Sequence, residues 1–124
     1  RAAFAHQGFP DLVLAFVSPH YAGLGKELAA DILAWTGARA LIGCTAGGVI
    51  GGGVEIEARP ALSLTAARLG GVAVQPFHLR DEELPGGDEA PAAWHAALDV
   101  AAEPPPQFVL LPDPYSLRVE ALLE

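Results

Sequence analysis

The residues best suited to chemistry fall in one stretch, LIGCTAGGVIGGG, from Leu41 to Gly53. It carries the single cysteine, Cys44, next to Thr45, together with six of the chain's fourteen glycines. Three chemistries are open to such a stretch. A phosphate loop would offer backbone N–H groups to a nucleotide. A nucleophile elbow would hold a hydroxyl or thiol on a sharp turn. A backbone-lined pocket would bind a small molecule and leave it unchanged.

The nucleotide loops fail position by position. A dinucleotide fingerprint needs three glycines between a strand and a helix, so that pyrophosphate meets the helix N-terminus. Gly51 and Gly53 supply the first two, but Ile56 stands where the third belongs. A P-loop needs Lys directly after its second glycine. Counting from Gly43, Gly47 or Gly48, that place is taken by Val49, Gly53 or Val54. Gly43-Cys44-Thr45-Ala46-Gly47 has the glycine spacing of the nucleophile elbow with Thr45 at its centre, yet the elbow requires a helix straight after the turn, and GGVIGGG is a poor helix former. Cys44 as a thiolate nucleophile would need a base such as His20 beside it. At the end of an apolar strand, its ordinary place is burial, as a small hydrophobe.

The backbone-lined pocket survives. Glycine lets another molecule approach the main chain closely, and a run of exposed N–H groups makes an anion-binding concavity. In α/β sheets such sites lie at the C-terminal ends of strands. Three segments are expected there: Ser18-Pro19-His20-Tyr21, Cys44 to Gly48, and Asp113-Pro114-Tyr115. The candidate ligand-binding residues are therefore His20, Tyr21, Cys44, Thr45, Gly47, Gly48 and Tyr115, and a small ligand with a carboxylate would suit them. No residue is assigned a catalytic or metal-binding role.

The elements that must position these residues are legible in part. Asp11 to Val17 is nearly all apolar, as in a strand covered on both faces. Ser18 and Pro19 then read as an N-cap and first turn. Leu24, Leu28, Ile32 and Trp35 recur at helical spacing, and Gly37 offers a stop. Ala38 to Ala46 reads as a second buried strand. Pro60 to Ala67 and Val72 to Leu79 read as two more, joined around Leu69-Gly70-Gly71, with Pro76 confining the latter to an edge or a bulge. Residues 80 to 90 form a polar loop, expected to be the most mobile part. A helix follows from Pro91, with Trp94, Leu98 and Ala101 on one face, ended by Pro104-Pro105-Pro106. Phe108 to Leu111 reads as a fifth strand, with Asp113-Pro114 capping a helix from Ser116 to Glu124. LVLAFV-SPHY and FVLL-PDPY thus share strand, cap, proline and aromatic. The expected class is α/β, a mixed sheet of about five strands with helices packed against it.

Composition narrows the partners. The chain has 124 residues, with 52% apolar and 18% charged side chains, and suits one folded domain over residues 1–124. No apolar run reaches the length of about 18 residues needed for a membrane span. Six arginines and Lys26 against fifteen acids give a net charge of −8, so the basic stripe of a nucleic-acid binder is missing. Asp81, Glu82, Glu83, Asp88, Glu89, Asp99 and Glu103 lie in a segment without a basic residue, the pattern of a solvated face or of a surface for a partner. The lone cysteine excludes an internal disulfide and fits a reducing cytoplasm. The start at Arg1 and the end inside VEALLE read as a fragment of a larger fold.

Taken together, LVLAFVSPHY, LIGCTAGGVIGGGVEIE with Glu55 and Glu57, PALSL, VAVQPFHL and FVLLPDPYSLRVEALLE resemble, in order and spacing, the N-terminal portion of a FIST domain, a bacterial sensory domain of signal-transduction proteins. The resemblance implies a non-catalytic, cytoplasmic domain binding an amino acid or similar small polar molecule, linked to a histidine kinase or a cyclic-dinucleotide enzyme. It also implies a C-terminal half beyond this sequence. Some FIST proteins are described as haem-binding nitric oxide sensors. That makes haem the alternative cofactor to none, with His20, His78 and His95 as possible axial ligands in an apolar pocket.

Overall fold

The computed structural model describes residues 8–86 and 90–119 and divides into two compact units, Arg1–Pro76 and Phe77–Glu124. The class is α/β, with five strands among the described residues, divided between a mixed three-stranded sheet and a two-stranded one.

In the first unit the three-stranded sheet has the order β2-β1-β5. Its centre is β1 (Leu12–Val17), parallel to β2 (Ala40–Thr45) and antiparallel to β5 (Leu62–Ala67). A parallel pair needs a crossover. Here it is a 3₁₀ helix, Pro19–Leu24, running into α1, Gly25–Thr36. Val13 and Ala15 alternate along β1 onto the face that α1 covers, where they meet Ile32, with Leu28, Ala38, Leu41 and Leu64 packed around them. Burial of Val13 and of Ile32 contributes about 1.5–3 kcal/mol each. The opposite face of β1 is only half-buried. The helical stripe differs from the expected one, since Leu24 and Trp35 are exposed and the buried positions are Ile32 and Thr36.

The end of α1 is closed by local hydrogen bonds. Gly37 takes the left-handed conformation (φ 70°) and its N–H donates to the Leu33 carbonyl at 2.8 Å. Thr36 Oγ1 donates to the Ile32 carbonyl (2.7 Å) and accepts the Ala38 N–H (3.2 Å). At the far end of the sheet the Asp11 carboxylate accepts the Leu69 N–H (2.7 Å) and pairs with Arg39 (3.3 Å), which ties the turn after β5 to the start of β1.

The glycine-rich run is an antiparallel hairpin, β3 (Gly48–Gly51) and β4 (Val54–Glu57). Its turn is Gly52-Gly53, with φ 58° and 79°, the positive pair that a primed two-residue turn demands. Ser63 Oγ of β5 donates to the Ile50 carbonyl of β3 at 2.6 Å and so ties the hairpin to the main sheet.

Two expected strands do not form, at Val72 to Leu79 and at Phe108 to Leu111. From Val72 to Leu79 the backbone forms a turn, with the Val72 N–H on the Leu69 carbonyl (3.0 Å), and then irregular chain. Pro76 has no N–H to give a ladder there. Residues 108–111 form no strand either, and all four apolar side chains are exposed. Pro106 and Pro112 bracket this run and remove donors on both sides.

The second unit contains α2 (Pro91–Leu98) and a 3₁₀ turn at Asp81–Glu83. α2 ends at Asp99, which caps it in the left-handed conformation (φ 52°), well before the three prolines expected to stop it. None of the described residues of this unit is buried. Phe77 and Phe108 form an edge-to-face pair with ring centres 6.2 Å apart. The expected helix from Ser116 begins as a turn over Asp113, and from residue 120 onward it lies outside the described residues.

Candidate functional site

The parallel pairing of β1 and β2 creates the site. Their register runs from Leu12↔Ala40 to Val17↔Thr45, so both strands end at the same level, and the Ala46 N–H donates to the Val17 carbonyl at 2.9 Å. The two chains then part, β1 into the 3₁₀ helix and β2 into the hairpin. His20 and Tyr21 on one side and Cys44, Thr45, Gly47 and Gly48 on the other thus leave the same end of the sheet, where α/β folds gather ligands. Tyr115, the remaining candidate, belongs to the second unit, almost fully exposed on the Asp113 turn.

Within this end the glycines have unequal jobs. Gly43 faces Ala15 across the parallel ladder, and a Cβ there would collide with the Ala15 carbonyl oxygen, so it is the close contact of the two strands that requires glycine. At Gly47 a Cβ would meet nothing within 4 Å, which leaves this backbone open to another molecule. At Gly48 a Cβ would lie 3.2 Å from Glu57 Cγ and 3.5 Å from Glu57 Oε1. A carboxylate therefore stands beside Gly48, next to the open face of Gly47, and the hairpin pairing of Gly48 with Glu57 puts it there.

Cys44 is exposed, contrary to the burial expected of it. It sits near the end of an edge strand whose last three residues have all left the core. Thr45 is exposed as well, and β3 rather than a helix follows it, so the strand–turn–helix geometry of a nucleophile elbow is missing.

Ser18 does not cap the helix with its side chain as expected. The 3₁₀ turn is closed by the backbone instead, with the Tyr21 N–H on the Ser18 carbonyl at 3.1 Å. The Ser18 hydroxyl is buried and accepts the Ala61 N–H (3.0 Å), while the Ser18 N–H donates to the Ala61 carbonyl (2.9 Å). This reciprocal pair extends the β1–β5 ladder by one rung. The same hydroxyl lies 3.2 Å from His20 Nδ1. No local signal announces this, because Ala61 is 43 residues away in sequence.

A second concavity was not anticipated from sequence. It is an apolar groove of about 270 Å³ between the hairpin and β5, lined by Val49, Val54, Ile56, Leu62 and Leu64, with Gly51, Gly52 and Ser63. The alternation VI/VEI on either side of Gly52-Gly53 was the available signal for the hairpin that builds it. Its lining contains no histidine. His20 and His78 are exposed, and His95 is half-buried on α2 in a unit without a buried described residue. These positions do not fit haem, which takes its axial imidazole inside an apolar pocket. Among the described residues no group of three or more His, Cys, Asp or Glu is arranged to hold a metal ion, and no helix is long and apolar enough to cross a membrane.

In the second unit the Asp81 carboxylate accepts the Arg118 backbone N–H (2.9 Å) and pairs with its guanidinium (3.0 Å), and these two hydrogen bonds hold its pKa below the ordinary carboxylate value. Asp113 is lowered likewise, by the Ser116 hydroxyl (2.7 Å) and then by the Tyr115 N–H (3.0 Å). Asp113, expected as a helix N-cap, bonds the Tyr115 N–H two residues ahead and the Ser116 hydroxyl three ahead.

Comparison with curated proteins and with solved structures finds no match. A family model, that of the FIST N domain, matches residues 11–124, which takes in the sheet, the hairpin, the site at the strand ends and the second unit. FIST domains are sensory domains, and this chain belongs to the FIST N family.

Proposed function

We propose that the chain is the ligand-binding portion of a bacterial intracellular signalling protein, non-catalytic, and that it takes an amino acid or a closely similar zwitterion at the β1/β2 end of the sheet. One observation carries this reading: the open backbone at Gly47 follows the strand end that β2 shares with β1 and its His20 turn, and the Glu57 carboxylate stands beside the neighbouring Gly48. Backbone N–H groups and His20 suit a carboxylate, and Glu57 suits an ammonium. The chain's strong negative charge disfavours a purely anionic ligand and agrees with one that brings its own positive group.

Ser18 and His20 look at first like two members of a hydrolytic triad. The buried Ser18 hydroxyl, engaged with the Ala61 N–H, has no open face for a carbonyl to approach, which favours binding over catalysis. Signal output would follow by population shift, the ligand favouring one arrangement of the loop between β2 and β3 and biasing an attached histidine kinase or cyclic-dinucleotide enzyme. Calorimetric titration of the full-length protein with the twenty amino acids tests the reading. At least one should bind, and Gly47→Val, which fills open space, should weaken it about tenfold or more while leaving the fold intact. Absence of binding by every member sinks the proposal.

A further inference from the structure

We infer that Ser18 is the positioning residue that fixes His20 as an Nε2–H donor, so that the ligand atom His20 meets is a hydrogen-bond acceptor. Ser18 is 3% exposed, and its hydroxyl cannot leave its hydrogen unused without cost. One of its lone pairs takes the Ala61 N–H at 3.0 Å. Among the described residues its other partner is His20 Nδ1 at 3.2 Å, so the hydroxyl hydrogen goes to that nitrogen.

A neutral imidazole that accepts at Nδ1 carries its proton on Nε2. His20 itself is exposed, and Nε2, across the ring from Ser18, has no partner among the described residues. The ring therefore offers solvent a donor of fixed chemical type at the end of the sheet where β1 and β2 part. The Ser18–Ala61 pair anchors that donor to the β1–β5 ladder of the three-stranded sheet. An acceptor such as a carboxylate oxygen satisfies it, and an ammonium does not.

The recognition part of this inference rests on the ligand-binding reading above; the tautomer does not. Long-range ¹H–¹⁵N correlation spectra of the full chain with ¹⁵N-histidine, recorded about two pH units above the ordinary histidine pKa, read the tautomer directly. The wild type should show His20 in the Nε2–H form alone. Ser18→Thr, which keeps the hydroxyl, should retain it, and Ser18→Ala should add the Nδ1–H form. An Nδ1–H signal in the wild type overturns the inference, as does an unchanged single tautomer in folded Ser18→Ala. Should that variant fail to fold, the wild-type and Ser18→Thr spectra decide alone.

For any amino acid that binds the wild type, His20→Gln, which can still donate, should bind within about threefold, whereas His20→Glu should lose about tenfold or more. Equal losses in both overturn the donor role. If no amino acid binds but the tautomer behaves as stated, the function proposal fails and the positioning role of Ser18 stands.

Discussion

Two segments of this chain carry nearly the same text and meet different fates. LVLAFV followed by Ser-Pro-His-Tyr becomes β1, central in its sheet, with Val13 fully buried. FVLL followed by Pro-Asp-Pro-Tyr forms no strand, and Phe108, Val109, Leu110 and Leu111 are all exposed. Apolar character permits a strand without making one. β1 has a hydrogen-bonding neighbour on each side and α1 over one face, whereas the run at 108–111 is bounded by prolines that cannot donate.

The largest expected effect breaks this contrast at its centre. Val13→Asp puts a charge without a partner into the core of the first unit and should cost more than about 4 kcal/mol, enough to abolish its cooperative unfolding transition. Val109→Asp, the same change in the look-alike segment, should stay within about 0.5 kcal/mol. Urea titrations followed by circular dichroism measure both, and equal losses would mean that the two segments are packed alike.

A second pair sharpens the contrast within the glycine run. Gly43→Ala drives a methyl group into the Ala15 carbonyl and should cost about 1–3 kcal/mol, while Gly47→Ala, four residues on, should be near neutral, as read by thermal unfolding. Ser18→Ala comes next. It leaves the Ala61 N–H without its side-chain acceptor and should destabilise the unit by about 1–3 kcal/mol, with amide exchange fastest at the β1–β5 end that it anchors.

The smallest effect belongs to the second unit. Asp81 has a folded-state pKa below its ordinary value of 3.8, so its pairing with Arg118 stabilises at neutral pH and is lost as pH falls below about 4 through the lowered value. Arg118→Ala should raise the Asp81 pKa toward the ordinary value in a carboxylate NMR titration, with little change in global stability because the pair is exposed. A large loss of stability would show that this unit depends on its polar contacts more than its exposure indicates.

How far the sequence foretold these outcomes depended on the range of the forces involved. β1, α1, β2 and β5 are legible because apolar runs, helical spacing and the Gly37 stop act locally. The hairpin is hidden in the sequence by six glycines that suggest a loop, although Val49 pairs with Ile56 across the Gly52-Gly53 turn. The missing strands failed for want of partners, a property that no stretch of residues carries by itself. The candidates His20 and Gly47 follow from the rule that ligands gather at strand ends, and the β1–β2 register puts their two turns at the same end of the sheet. Glu57 and Ser18 owe their places to cross-strand contacts with Gly48 and Ala61 that no short motif encodes.

The central claim is that a small zwitterion binds where β1 and β2 part. The direct measurement is the backbone amide NMR spectrum of the full chain titrated with each of the twenty amino acids. The account predicts, for at least one of them, saturable shifts concentrated at His20, Tyr21 and residues 44–48. Shifts confined to Phe77–Glu124, or none that saturate with any amino acid, would contradict it.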